Sequence, residues 1–304
     1  MKEIIGFIRL YAKEINKPVL LISALFMAGF IWLNYGYSLE TRLIHEIGSP
    51  WSGIKAHFLI SFTAFLFPYL LLLARKKEHH QLRPAFFFCL LIAPFLFAIK
   101  VSMDTTIQAS TDPWWNEYWN NVFYWPPRLI MLLICLGFIH WILLKEENSF
   151  FGARLKRMNW RPYWIMLLIM VPLITIASTQ PDFLATYPKM KEILPLPPNA
   201  HPSWWYKVLF ELSYGSDFCS IEIFFRGFLV IGFMRWVGKD AILPMACFYC
   251  TIHFGKPLGE CVSSWFGGLL LGIVSYHTRS IYGGLMVHLG IAWLMEIGGY
   301  LGNY

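Results

Sequence analysis

Charge is what this chain has little of. Only 14% of its 304 residues are charged, against about a quarter in a typical soluble domain. Hydrophobic residues make up 57%, so there is not enough polar surface to cover a globule in water. That excludes a soluble domain. Acidic residues are the scarcer sign, 18 against 25 Lys and Arg, for a formal charge of +7. The excess does not indicate nucleic acid. The basic residues sit in short loops beside apolar runs, where they act as orientation signals. No nucleic-acid partner is expected.

Cysteine is sparse too. Cys89, Cys135, Cys219, Cys247, Cys250 and Cys261 all fall in or beside apolar runs, which argues against a disulfide framework and for small buried hydrophobes. Cys247-x-x-Cys250 followed by His253 has the outline of a metal site. On a helix these residues turn over three faces, and no second pair exists, so packing is the reading. The chain also lacks internal repeats and low-complexity tails.

Long apolar runs are what it has. Spanning a bilayer takes about 17–25 residues, and such runs lie near Pro18–Tyr37, Ile54–Ala74, Pro84–Met103, Pro126–Leu144, Pro162–Thr179, Trp204–Trp236, Ala241–Phe254, Cys261–Tyr276 and Ile281–Tyr300. The seventh is short and marked by Pro244, and reads as tilted or partly re-entrant. The first has too long a core for a signal peptide, and no small-residue cleavage site follows it. Fourteen Trp and fifteen Tyr suit two membrane–water interfaces. The expected fold is an all-α polytopic integral membrane bundle of about eight or nine transmembrane segments.

Lys2, Arg9, Lys13 and Lys17 precede the first span. Arg75, Lys76, Lys77 and Arg83 follow the second. Lys145, Arg154, Lys156, Arg157 and Arg161 follow the fourth, and Arg235 and Lys239 the sixth. These alternate to one side, which the positive-inside rule makes cytoplasmic. The expectation is a multi-pass protein of the plasma (inner) membrane with a cytoplasmic N-terminus. A Pro-rich loop at 181–203 separates an N-terminal transmembrane bundle, 1–180, from a C-terminal bundle, 204–304, that holds nearly all the intramembrane polar residues.

Ionisable groups at membrane depth cost a few kcal/mol each and mark function by default. "SIEIFFRGFLV" places Glu222 and Arg226 four residues apart, with the acid N-terminal to the base. "FYCTIHFGKPLGE" places His253 ahead of a Gly255–Lys256–Pro257 break, and "GGLMVHLGIAW" places His288 in the last span. A buried Glu beside a neutral His can hold and deprotonate a water, and a second His can donate to a developing oxyanion.

"IEIFFRGFLV", "YCTIH" and "GGLLLGIVSYHTRSIYGGLMVH", in that order, resemble the CAAX protease and bacteriocin-processing family, the type II CAAX or glutamic-type intramembrane proteases. The resemblance covers about the last third of the chain. It matches Glu222 to the second motif glutamate, Arg226 to the motif arginine, Tyr249 to the aromatic position, and His253 and His288 to the two motif histidines. It implies that a glutamate with the His253 counterpart activates water, and that the His288 counterpart stabilises the oxyanion.

Two positions depart from the pattern. Ile221 stands where the first glutamate belongs, and Ala292 where an Asn or Asp belongs. Glu260, seven residues after His253 and beyond the break, is the expected substitute acid, ahead of Glu296. The site set is therefore Glu222, Arg226, His253, His288 and Glu260. No cofactor is expected, with a metal at the Glu/His site left open. The implied function is an intramembrane endopeptidase acting on a peptide or membrane-protein substrate, lipid-modified or not. The alternatives are an inactive relative that binds a membrane partner and a proton-path transporter. Against the transporter stands the absence of an inverted repeat or paired broken helices.

Overall fold

A computed structural model describes residues 2–47, 51–75, 83–143, 149–153, 159–193 and 204–303. Among them every regular element is helical. The basic residues Lys76, Lys77, Lys145, Arg154, Lys156 and Arg157 lie outside the described residues.

In chain order the α-helices are α1 (Lys2–Glu14), α2 (Lys17–Tyr37), α3 (Leu39–Ile47), α4 (Ser52–Arg75), α5 (Pro84–Ser102), α6 (Pro113–Val122) and α7 (Pro126–Leu143). They are followed by α8 (Arg161–Ala177), α9 (Pro181–Thr186), α10 (Trp204–Ile221), α11 (Met234–Val237), α12 (Ile242–Thr251), α13 (Leu258–Thr278) and α14 (Tyr282–Asn303). Short 3₁₀ turns occupy Lys189–Ile193 and Gly238–Ala241. A π-helix, Glu222–Gly232, continues α10.

Among the described residues six stretches of helix are long and apolar enough to cross a membrane: Lys17–Tyr37, Ser52–Arg75, Pro84–Ser102, Pro113–Leu143, Leu258–Thr278 and Tyr282–Asn303. The other expected spans are present but shorter or divided. Arg161–Ala177 has 17 residues, and α12 only ten, about 15 Å at the helical rise. The run read as Trp204–Trp236 is three elements rather than one helix. The polytopic helical bundle read from the apolar runs is thus what forms. Its helices leave large apolar side chains outward, among them Leu25, Trp32, Phe88, Leu91, Leu168, Ile176 and Leu301. In water that would be untenable; in lipid it is the expected outer surface.

The chain forms two compact units. The first comprises Met1–Ser102, Cys135–Lys156 and Ile223–Ile281. Asn16 starts α2 as a capping residue, its side chain accepting from the Val19 N–H, with Pro18 in the first turn. α4 packs on α5 and on α12. The centre is aromatic: Phe65, Tyr69, Phe86, Phe224, Phe225, Phe228, Phe233 and Phe248 are all nearly or fully buried. Many meet edge-to-face, as Phe97 does with Phe248 at 5.5 Å and 82°, the geometry that ring quadrupoles favour. α12 and α13 form an antiparallel hairpin. Gly268 lies against Ala246, and Gly272 against Ile242 and Met245, so the register runs upward on one helix and downward on the other. A Cβ at either glycine would collide or crowd, so small residues set this close approach. Gly267 faces open space and takes no part in it.

The second unit comprises Met103–Ile134, Arg157–Glu222 and Tyr282–Tyr304. Asp112 caps α6 by accepting from the Trp114 and Trp115 N–H groups. α8 and α9 pack on α14 around Ile174, Phe183 and Tyr187. α10 runs antiparallel to α14: Gly215 sits on Leu289, and further along α10 Phe218 meets His288. Glu296 is buried on α14. It accepts from the backbone N–H groups of Lys189 and Met190 at 2.7 and 3.1 Å, which pins the start of a 3₁₀ turn. The acid that sequence spacing set behind Glu260 thus serves as a helix cap.

Candidate active site

α10 ends at Ile221, and the backbone changes there from i→i+4 to i→i+5 bonding. The π-helix runs for 11 residues, far beyond the single-turn bulges in which this conformation is usually seen, often at functional sites. Glu222 is its first residue and Arg226 its fifth. Both are completely buried.

In the second unit Glu222 Oε1 lies 3.0 Å from His288 Nδ1. When the carboxylate is ionised it can only accept, and Nδ1 is then the donor of this contact. His288 keeps 15% of its side chain accessible while Glu222 has none. The edge of Phe218 closes on the imidazole at 4.8 Å and 71°. Gly284 lies directly against Glu222 Oε2, where any Cβ would clash. Its lack of a side chain is what lets the carboxylate lie flat on α14.

In the first unit the Arg226 guanidinium sits over the Tyr249 ring, 4.2 Å from the centroid. Tyr249 in turn meets His253 edge-on at 4.9 Å. His253 Nδ1 lies 3.1 Å from the Tyr249 carbonyl oxygen. A carbonyl can only accept, so Nδ1 is again the protonated nitrogen. Arg226, Tyr249 and His253 thus form one stack, in which a cation rests on a ring face away from water.

The turn after α12 carries His253, and α2 holds it from outside the motif region. Asn34 Nδ2 donates to the Phe254 carbonyl at 3.1 Å. The Tyr35 hydroxyl donates to the Lys256 carbonyl at 2.6 Å and lies 3.2 Å from that of His253. Glu40 on α3 stands next to Gly255 and 3.5 Å from His57 Nδ1. None of these residues was singled out from sequence. Asn34 and Tyr35 end an apolar span, where they read as interface residues, and only the fold brings them to positions 253–256.

Glu260 lies in the first turn of α13, and its Oε1 is 3.4 Å from Lys256 Nζ. The chain reversal expected at Gly255–Pro257 is present as the α12–α13 hairpin. Ile221 and Ala292 are buried at 6% and 3% exposure, as apolar packing residues. Among the described residues no group of three or more His, Cys, Asp or Glu is placed to hold a metal ion.

Residues 216–294 match a known family. The model is that of the type II CAAX prenyl endopeptidase Rce1-like family, and it bears out the resemblance read from the motifs. It spans about a quarter of the chain and takes in Glu222, Arg226, Tyr249, His253, Glu260 and His288. Ile221 and Ala292 lie within it too. No curated protein and no solved structure matches significantly. The apolar helices and this matching segment together indicate an integral membrane protein, with residues 216–294 similar to a membrane protease family.

Proposed function

We propose that the protein is a membrane-embedded endopeptidase in which His288, oriented by Glu222, takes a proton from the attacking water. The observation that carries this reading is the 3.0 Å contact between a fully buried carboxylate and an imidazole that keeps some access. In this reading the carboxylate fixes the tautomer and stabilises the imidazolium that forms, and Nε2 serves as the base. This exchanges the histidine roles implied by the family resemblance. The reason is chemical: Ile221 has no proton to take or give, and the carboxylate present, Glu222, is on His288. The resemblance gives His253 the second imidazole of the reaction, with Arg226 and Tyr249 fixing its orientation. Glu260, paired with Lys256, is the reserve acid on that side. The substrate is a membrane-associated peptide or protein, cut near the membrane boundary without a cofactor. The lysine and arginine bias supports a cytoplasmic N-terminus, and the plasma membrane is the location we propose.

A second reading rests on a specific observation. Ile221 and Ala292 replace an acid and a hydrogen-bond donor with buried apolar side chains. Losing one oxyanion donor alone costs about 10²–10³ in rate. In this reading the protein binds a membrane partner and cuts nothing. One experiment separates the two. Purified protein in proteoliposomes is incubated with membrane-protein and prenylated-peptide libraries, and new termini are read by mass spectrometry. Cleavage by the wild type that disappears in His288→Ala supports the protease. No new terminus, together with partner capture that His288→Ala weakens, supports the binder.

A further inference from the structure

Cys250 and Cys261 face each other across the α12–α13 hairpin. Their Sγ atoms are 3.9 Å apart. Cys250 Sγ lies 3.4 Å from the Cys261 carbonyl oxygen, and Cys261 Sγ lies 3.9 Å from that of Cys250. Each side chain is thus aimed at the other residue. Both are completely buried. The antiparallel register set by Gly268 and Gly272 makes them opposite neighbours, at the end of the hairpin next to its turn. A disulfide needs an S–S distance of about 2 Å and Cβ atoms about 3.5–4.5 Å apart, which thiols already in van der Waals contact can reach by side-chain rotation.

We propose that Cys250 and Cys261 are joined by a disulfide in the mature protein. The second support is compartment. The charge bias places Lys17, at the start of α2, on the cytoplasmic side. α2 is long and apolar enough to cross a membrane, and its far end holds the turn after α12 through Asn34 and Tyr35, so that turn lies on the opposite, oxidising side. Two thiols give up two protons and two electrons to a small-molecule or protein disulfide, which leaves as two thiols, and one S–S bond forms. The exchange takes place while the hairpin is assembling and the thiols are open. Once α13 has docked on α12 the bond is sealed from solvent and reductant. The closed loop contains the turn bearing His253, whose other side is tied by Asn34 and Tyr35. The bond therefore fixes that turn at its base. This holds whether or not the protein cleaves a substrate.

The test uses full-length protein extracted from membranes without reductant and denatured in iodoacetamide. Intact mass should show four of the six cysteines alkylated, and all six only after prior reduction. Digestion should yield one linked peptide pair containing Cys250 and Cys261. Reductant present throughout a thermal melt, where it reaches the bond as the hairpin opens, should lower the apparent melting temperature of the wild type and leave that of the Cys250→Ser/Cys261→Ser variant unchanged. Six alkylated cysteines without reduction would overturn the proposal, as would a linkage joining any other pair. Should the double variant fail to fold, the wild-type mass and peptide map decide alone.

Discussion

The Tyr35 hydroxyl donates to the Lys256 carbonyl oxygen at 2.6 Å, which ties the end of α2 to the turn that carries His253. A residue more than 200 positions away in sequence thereby sets the backbone on which a motif histidine rests. Tyr35→Phe should leave that carbonyl without its donor, at about 1–3 kcal/mol. Thermal unfolding in detergent should show the loss. If the protease reading holds, turnover should fall more than substrate affinity. An unchanged melting temperature would mean that the turn does not depend on α2.

Glu222→Gln keeps the shape of the side chain and removes its charge. It should abolish cleavage by His288 with little change in yield, because the amide oxygen can still accept from Nδ1. Gly284→Ala should act on the same carboxylate by steric means. The added methyl would overlap Oε2 and should destabilise by about 1–3 kcal/mol, the usual range for overpacking. Cleavage by Glu222→Gln at the wild-type rate would remove Glu222 from the mechanism.

Arg226→Ala removes a fully buried guanidinium from the face of Tyr249. A desolvated cation–π contact is worth about 2 kcal/mol, and the space left adds to the loss. Extracted yield and melting temperature should both drop, with or without catalysis. Tyr249→Phe keeps a ring beneath the cation and should be far milder than Tyr249→Leu. Equal effects of the two would show that the ring is filler.

Glu40 supplies a pH dependence. Burial raises its pKa above the ordinary carboxylate value. A carboxyl raised in the folded state contributes stability in acid, and that contribution is lost as pH rises through the folded pKa. Glu40→Gln should therefore raise the melting temperature at pH 7 relative to wild type, and the difference should shrink toward pH 4. A difference that is flat with pH would show that Glu40 is solvated like a surface acid.

Orientation is open to chemical labelling. Single cysteines at Ser149 and Thr186, in a background without other reactive thiols, should react from opposite faces of the membrane. Ser149 should be reached from the cytoplasm. Reaction of both from one face would overturn the charge-based topology, and with it the compartment argument for Cys250 and Cys261.

The apolar runs located most helices closely. Pro84–Met103 became α5 (Pro84–Ser102), and Ile281–Tyr300 became α14 (Tyr282–Asn303). Hydropathy reports transfer from water, and long helices in this chain are fixed mainly by that. α1, α3 and α6 were missed because they are amphipathic and a search for unbroken apolar runs passes over them. The π-helix could not be read either. The same apolar residues satisfy i→i+4 and i→i+5 bonding, and side-chain type does not distinguish them. At the site, the motif spacing picked out Glu222 and His288. It paired His253 with the missing first glutamate, and could not show that Glu222 had gone to His288. Asn34, Tyr35 and Glu40 carry no local signal, since their role depends on a contact some 200 residues long.

A π-helix holds more backbone in the same length than the α-helix it replaces, so the stretch from Glu222 to Gly232 behaves like a length of chain with slack taken up at a chosen point. Substitutions there change contacts; a deletion would change phase. Removing one residue would let the strand of backbone relax to ordinary α-helical bonding and swing every side chain beyond the cut about a quarter-turn around the axis. Arg226 would leave the face of Tyr249 although it had not itself been altered. Natural variation in this protein should therefore tolerate exchange of one apolar residue for another within this segment and reject any change in its length.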